Sequence, residues 1–234
     1  MAGKNTMHER NSHVGTEREP VIWLRPERAS GGRPAERSRA EITEVAVRLA
    51  DQEGLEAVSM RRVAGVLGTG AASLYRYVAT RDDLLDLMID SVAAEYRLVA
   101  PSGDWRADLL TLARQARDIM RRHRWLPALV IGRPALGPHG TDLLEHVLEI
   151  LDGHPARPAR KVEAFAVLTG LAALFVESET AAADAARHGA YLSHVAAAGH
   201  HPRIAALIAA APAEPPPADP FATVLSGALT AVLG

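Results

Sequence analysis

The chain has 234 residues, no cysteine and a formal net charge of −2. Disulfide scaffolds and thiolate metal sites are thereby excluded, and bulk charge offers no attraction to nucleic acid or membrane. Hydrophobic residues make up 48% and aromatics only 4%, a balance that supports a sizeable core of close-packed, alanine- and leucine-rich helices rather than sheet. The most apolar run, residues 165–176, stops at Glu177 and is too short to span a bilayer. The N-terminal stretch is polar and charged without an apolar h-region, so the expected location is cytoplasmic, with no membrane partner.

Residues 1–37 lack periodicity and read as a flexible basic extension, with Val21-Ile22-Trp23-Leu24 as an apolar island able to dock on the body. Ser38 and Glu41 have capping-box spacing. Ile42, Val45, Ala46, Leu49 and Ala50 then recur on one face of a helix that Gly54 stops. Ser59 caps a second helix over about 60–67. Gly68-Thr69-Gly70 is a turn, and a third helix runs over about 71–77 with Leu74 and Val78 inward. Thr80 caps a fourth, with Asp82 and Asp83 in its first turn and a wide apolar stripe from Leu84 to Tyr96.

After Pro101 the pattern stays helical. Asp104 caps a helix carrying Leu109 to Met120, a short segment spans 125–131, and another helix spans 138–152. Pro158 opens a long helix expected to reach about Ala186. Two weaker helices, over 191–198 and 203–210, precede a proline-rich spacer (212–220) and a last helix over 220–233.

Charge is unevenly spread. Residues 1–39 hold eight Lys/Arg against five acids, and residues 59–81 hold four arginines and no acid. The latter stretch is a short helix pair around a tight turn with one apolar and one basic, hydroxyl-rich face, the type of unit that enters a DNA groove. Thr69, Gly70, Ala71, Ala72, Ser73, Arg76 and Tyr77 are placed at the start and outer face of the third helix. There small side chains allow close approach, alanine can meet a thymine methyl, and Arg76 is the best placed arginine for a guanine. Tyr75, Tyr77, Thr80 and Arg81 suit phosphate contact; for Tyr75 a core role is the alternative. Ser59 is an N-cap whose helix terminus can also hold a phosphate, and Arg61 lies beside it. Gly32-Arg33-Pro34 with Arg37 and Arg39 reads either as a minor-groove arm or as a solubilising tail.

Ser59-Met60-Arg61, Gly68-Thr69-Gly70, Ser73-Leu74-Tyr75-Arg76-Tyr77 and Arg81-Asp82-Asp83-Leu84-Leu85 together resemble the TetR family of bacterial transcriptional repressors. The Trp105 segment, His123-Arg124-Trp125-Leu126 and Gly132-Arg133-Pro134 resemble its tetracycline-repressor-type C-terminal domain. Val78 departs from the phenylalanine many members carry. The resemblance implies an all-α fold: a three-helix helix-turn-helix domain (38–82) joined by a linking fourth helix to a larger effector-binding and dimerisation domain (83–234). It also implies that the third helix enters the major groove and that the family's tyrosines and the basic residue opening the fourth helix touch the DNA backbone.

Two stripes offer a dimer surface: Phe165, Leu168, Thr169, Ala172, Ala173 and Val176, and Phe221, Val224, Leu225, Ala228, Leu229 and Val232. The resemblance favours a homodimer built on them over burial in one monomer core. By the same resemblance an effector cavity lies inside the C-terminal helices. Its candidate lining is Met88, Val92, Tyr96, Met120, Trp125, Leu126, Ile131, His146, Val147, Ile150, Phe165, Thr169 and Phe175, with His146 a polar anchor or a surface histidine. Glu177 and Glu179 can meet a cationic ligand or stay on a solvated face. Despite ten histidines, no zincin pattern, phosphate loop or nucleophile elbow is present, so no metal, cofactor or catalytic residue is expected. The resulting expectation is a ligand-responsive regulator, a repressor released from operator DNA by a small molecule. A ligand-independent DNA-binding protein and a helical small-molecule enzyme are the alternatives.

Overall fold

A computed structural model describes residues 21–27, 37–133, 136–180, 182–210 and 218–234. The tract Gly32-Arg33-Pro34, Pro134 and most of the 212–220 spacer lie outside these residues. The described residues hold only helical elements. In order they are α1 (Arg39–Glu53), α2 (Met60–Val66), α3 (Ala71–Leu74), α4 (Arg81–Ala93), α5 (Trp105–Arg122), α6 (Leu126–Gly132), α7 (Pro138–Ile150), α8 (Pro158–Thr180), α9 (Ala182–Ala197), α10 (Pro202–Ala210) and α11 (Pro220–Leu233), with 3-10 turns at Ile22–Leu24 and Leu55–Ala57.

The expected caps are formed. At α1 the Ser38 hydroxyl accepts from the Glu41 amide at 3.1 Å, and the Glu41 carboxylate accepts from the Ser38 amide at 2.9 Å. Thr80 and Asp83 repeat this capping box at α4, at 3.0 and 3.1 Å, satisfying amides that the helix itself leaves unpaired. Asp104 caps α5 by accepting from the Arg106 and Ala107 amides. Gly54 ends α1 at φ +86°, where a side chain would be strained.

α1, α2 and α3 form a small head around Ile42, Val63, Leu74 and Val78, all 0% exposed. α4 packs on α1 from one side and on α6 and α7 from the other. Behind it, α5, α6, α7 and α11 surround α8. Three boundaries differ from the sequence reading. α3 is a single helical turn ending at Leu74, after which Tyr77 closes back on Leu74. α8 ends at Thr180 rather than near Ala186, and residues 182–197 belong to α9. α9 and α10 pack on each other and only lightly on the body, leaving Tyr191, Leu192 and Leu207 exposed.

Leu168, Ala172, Ala173 and Val176 of α8 and Phe221, Leu225 and Leu229 of α11 are buried within the single chain. The two helices use these residues to pack on each other, which moves most of both stripes into the monomer core. Val224 of the second stripe remains exposed, as does Leu174 of α8, which belongs to neither stripe.

Glu179 is exposed, as the solvated-face reading has it, but it is paired. Arg121 grips it with Nε at 2.8 Å and Nη2 at 2.8 Å, and Arg117 adds a bond at 2.6 Å, tying α8 to α5. The two guanidiniums, Arg121 first, outweigh burial and hold its carboxyl down to about 2. A carboxyl lower in the folded than in the unfolded chain stabilises the fold above the ordinary value of 4.5 and loses that effect as pH falls toward 2. Melting temperature is expected to drop on acidification through this window. In Glu179→Gln, scanning calorimetry is expected to show a lower melting temperature at neutral pH and a shallower acid slope.

Candidate nucleic-acid interface and effector cavity

The turn between α2 and α3 is closed by the Thr69 amide on the Ala64 carbonyl at 3.0 Å, with Gly68 at φ +67°. It leaves one face of the head open. Ser59, Arg61, Gly70, Ala72, Tyr75, Arg76, Thr80 and Arg81 are exposed on the head, and Thr69, Ala71 and Ser73 are half-buried. Arg76 donates to the Ser73 hydroxyl at 3.0 Å, which steadies its stem on the outer face of α3. Arg81 donates to the Val58 carbonyl at 3.3 Å and so braces the lead into α2. Arg62 pairs with Glu53 at 2.8 Å. Ser59 and Thr80 each use the hydroxyl oxygen as a cap acceptor, which leaves the proton free to donate outward.

Tyr77 is a correction. The sequence pattern puts it on the outer face, whereas in the structure it is 6% exposed. Leu74, Tyr77 and Val78 stand at i, i+3 and i+4, so the turn that follows α3 carries all three to the same inward side. Arg37 and Arg39 are likewise committed inside the molecule. Arg37 donates to the Leu67 carbonyl at 2.7 Å, and Arg39 donates to the Tyr77 carbonyl at 3.0 Å. A minor-groove arm made of these two side chains is therefore not formed.

A cavity of about 540 Å3 lies between α4, α5, α6, α7 and α8. Of the candidates, Val92, Tyr96, Met120, Leu126, Ile131, Phe165 and Thr169 line it. Met88, Trp125, His146, Val147, Ile150 and Phe175 do not. Met88 and Val147 are packed solid at 0 and 1% exposed, and Ile150 is core at 9%. Phe175 stacks edge-on with Phe221 at 5.2 Å. His146 is 8% exposed and faces Glu149 at 3.2 Å, away from the cavity. Apolar spacing alone carried no signal separating these core positions from the walls that were missed, among them Ile89, Ile119, Val130, Leu136, Leu143 and Val162.

The walls are almost wholly apolar. Tyr96 brings a hydroxyl that makes no hydrogen bond among the described residues. Burial pushes this phenol above its usual value, so it stays protonated and available as a donor. The Thr169 hydroxyl is bonded to the Phe165 carbonyl at 3.0 Å. Arg133 also reaches the cavity, but its guanidinium is occupied by Asp82 at 3.0 Å and Asp86 at 2.9 Å, both in the first turns of α4. The end of α6 is thereby tied to the start of the helix that follows the reading unit.

A second tie was not legible in the sequence. His123, 8% exposed, sets Nδ1 2.8 Å from Asp51 of α1 and Nε2 2.8 Å from Glu95 beyond α4. Trp125 donates Nε1 to the same Asp51 oxygen at 2.7 Å, which is where that side chain is used instead of the cavity. Arg122 pairs with Glu95. Burial raises the Glu95 carboxyl, yet Arg122 and His123 more than offset this and hold it below the ordinary value. His123→Ala is expected to cost about 1–3 kcal/mol, because it removes one partner from each of two part-buried carboxylates and the bridge between them. Urea unfolding followed by circular dichroism checks this, and the conservative His123→Gln is expected to lose less.

Two family models match the chain: "Bacterial regulatory proteins, tetR family" over residues 42–88 and "Tetracyclin repressor-like, C-terminal domain" over residues 99–225. The HTH-type transcriptional repressor DrrR1 of Streptomyces coeruleorubidus is 44% identical over 133 residues, 56% of this chain and 49% of that protein. An HTH-type transcriptional regulator of Saccharopolyspora erythraea is 38% identical over 132 residues, 56% of each. The chain spans about half the length of the curated relatives it matches. Crystal structures of ActR from Streptomyces coelicolor superpose over most of both chains. The complex with (S)-DNPA has a TM-score of 0.71 at 28% identity, covering 84% of this chain and 98% of that one. The complex with actinorhodin has a TM-score of 0.67 at 25% identity, covering 85% and 97%. With one family model over residues 42–88 and the other over residues 99–225, more than half of the chain, this chain belongs to the tetR family of bacterial regulatory proteins.

Proposed function

We propose that the chain is a cytoplasmic, homodimeric repressor whose α3 helices read an operator and whose cavity binds a small molecule that releases it. The carrying observation is the Arg133 tie: one side chain lines the cavity and grips Asp82 and Asp86 on α4. In this reading residues 38–82 bind DNA, residues 83–234 bind effector and partner copy, and residues 1–37 are an extension. Arg76, Ala72, Ser73 and Thr69 face bases, while Ser59, Arg61, Tyr75, Thr80 and Arg81 hold phosphates. Two heads spaced by a dimer must reach successive major grooves about 34 Å apart. The outer faces of α8 and α11, with Leu174 and Val224 exposed, are the surface for that dimer.

The effector is a largely apolar molecule without a strong cationic group. The walls offer no unpaired carboxylate, Arg133 is already neutralised, and Tyr96 supplies one donor for a carbonyl or hydroxyl oxygen. That ActR, which shares this fold, has been crystallised in complex with actinorhodin supports a small-molecule effector. A ligand acts only through its differential affinity for the two arrangements of α4 against α6. The open cavity argues against a ligand-independent DNA binder, whose core would be filled, and the regulator relatives argue against a small-molecule enzyme.

Gel-shift or anisotropy assays with the duplex upstream of its own gene are expected to show palindromic binding. Arg76→Ala is expected to cost about 1–3 kcal/mol and to relax one base position, whereas Arg61→Ala is expected to lower the salt slope by about 1. Failure of the unmodified chain to bind at moderate salt overturns the reading. In a melting-temperature screen of largely apolar small molecules, with actinorhodin as a separate arm, a binder is expected to raise the transition. Tyr96→Phe is expected to weaken that binder by roughly five- to tenfold.

A further inference from the structure

Residues 21–27 precede both family-matched regions, yet they are built into the seam between head and body. Ile22 is 1% exposed. The Arg39 guanidinium gathers the carbonyls of Ile22 at 3.1 Å, Arg25 at 2.9 Å and Pro26 at 3.4 Å, and its Nε holds the Tyr77 carbonyl at 3.0 Å. Glu27 accepts from the Arg39 amide at 2.6 Å. Arg25 pairs with Asp83, the residue that closes the capping box of α4. At the other end of the segment, Trp23 lies on Gly137. A Cβ at Gly137 would run into the Trp23 ring and the Asp90 carboxylate, so only glycine allows this approach. Gly137 follows Leu136, a wall of the cavity, and Asp90 in turn accepts from the Gly140 amide at 2.9 Å.

We propose that residues 21–27 are a strap that relays the position of the 136–137 loop to the end of the reading helix, with Trp23 and Arg39 as its positioning residues. This rests on the regulator reading above and deepens it by naming a route from cavity to reading unit. The route is physical at each link. Leu136 senses the cavity contents, and Gly137 sets where the Trp23 ring can lie. The ring is two residues from the Arg25 carbonyl and one from the Ile22 carbonyl. Arg39 binds both carbonyls through a planar fork whose direction is fixed by its acceptors. Turning that fork moves the bond on Tyr77, the residue that ends the turn after α3. One guanidinium that bonds both the strap and Tyr77 is a contiguous physical link between them.

Three single variants and one double variant of the whole chain test the strap. Trp23→Ala is expected to keep the helical circular dichroism of the unmodified chain. Amide exchange at Tyr77 and Val78 in the free protein is expected to rise by about five- to tenfold, with operator affinity falling by a similar factor. Trp23→Phe is expected to restore both. Gly137→Ala is expected to reproduce the loss from the body side, and the double variant to bind no more weakly than the weaker single, because one link is broken once. Unchanged exchange at residues 77–78, or losses that add in full, overturn the proposal. If Trp23→Ala does not fold, the exchange measured on Gly137→Ala decides it. If the unmodified chain binds no operator, the regulator reading fails, while exchange at Tyr77 and Val78 still judges the strap.

Discussion

Helix α4 belongs to both halves of the molecule, and its placement is the constraint on which the rest depends. Its capping box at Thr80 starts it where the reading unit ends. Leu84 and Met88, both 0% exposed, lock it into the core, and truncating either side chain would cost about 2–5 kcal/mol. Ile89, Val92, Ala93 and Tyr96, on and just past it, form one wall of the cavity. Acidic groups along it, Asp82, Asp86 and Asp90, with Glu95 just beyond its end, are each bonded to the body: Arg133, Gly140 and His123. The helix is thus held at both ends and lined by a void in between.

The void and the charges divide the work. Apolar walls give affinity through water excluded from the cavity, and they tolerate many shapes. The polar ties that restrain α4 lie around the cavity rather than inside it, so ligand volume can strain them without meeting an unpaired charge. Arg133 is the exception, since it touches both the cavity and α4. Its position joins a mostly apolar site to the first turns of α4.

Much of the fold could be read from local chemistry. Ser38, Ser59, Thr80 and Asp104 are caps because short oxygen-bearing side chains compete for the first amides of a helix, and each stands at the start of the helix assigned to it. The helix-turn-helix was legible for the same reason, apart from Tyr77, whose i+3 spacing from the buried Leu74 carries it inward beside Val78. The cavity was legible only in outline. Core and wall are both apolar, so Val147 and Val92 look alike until the tertiary packing separates them. His123 was missed because its partners lie 72 and 28 residues away, beyond any periodic pattern. The Val21–Leu24 island was visible as apolar, but nothing local placed it against Gly137.

The hydroxyls of Ser59 and Thr80 carry a further consequence. Aspartate and asparagine cap helices about as well as serine and threonine, so folding alone does not select an alcohol at these two places. A carboxylate would bring negative charge to a surface that, in the reading proposed, lies against an anionic polymer, and it has no proton to give. An alcohol accepts from the helix behind it while offering hydrogen to the phosphate in front. At these two positions the demand of the fold and the demand of the partner converge on the same atom, and only a group able to serve both directions at once satisfies them.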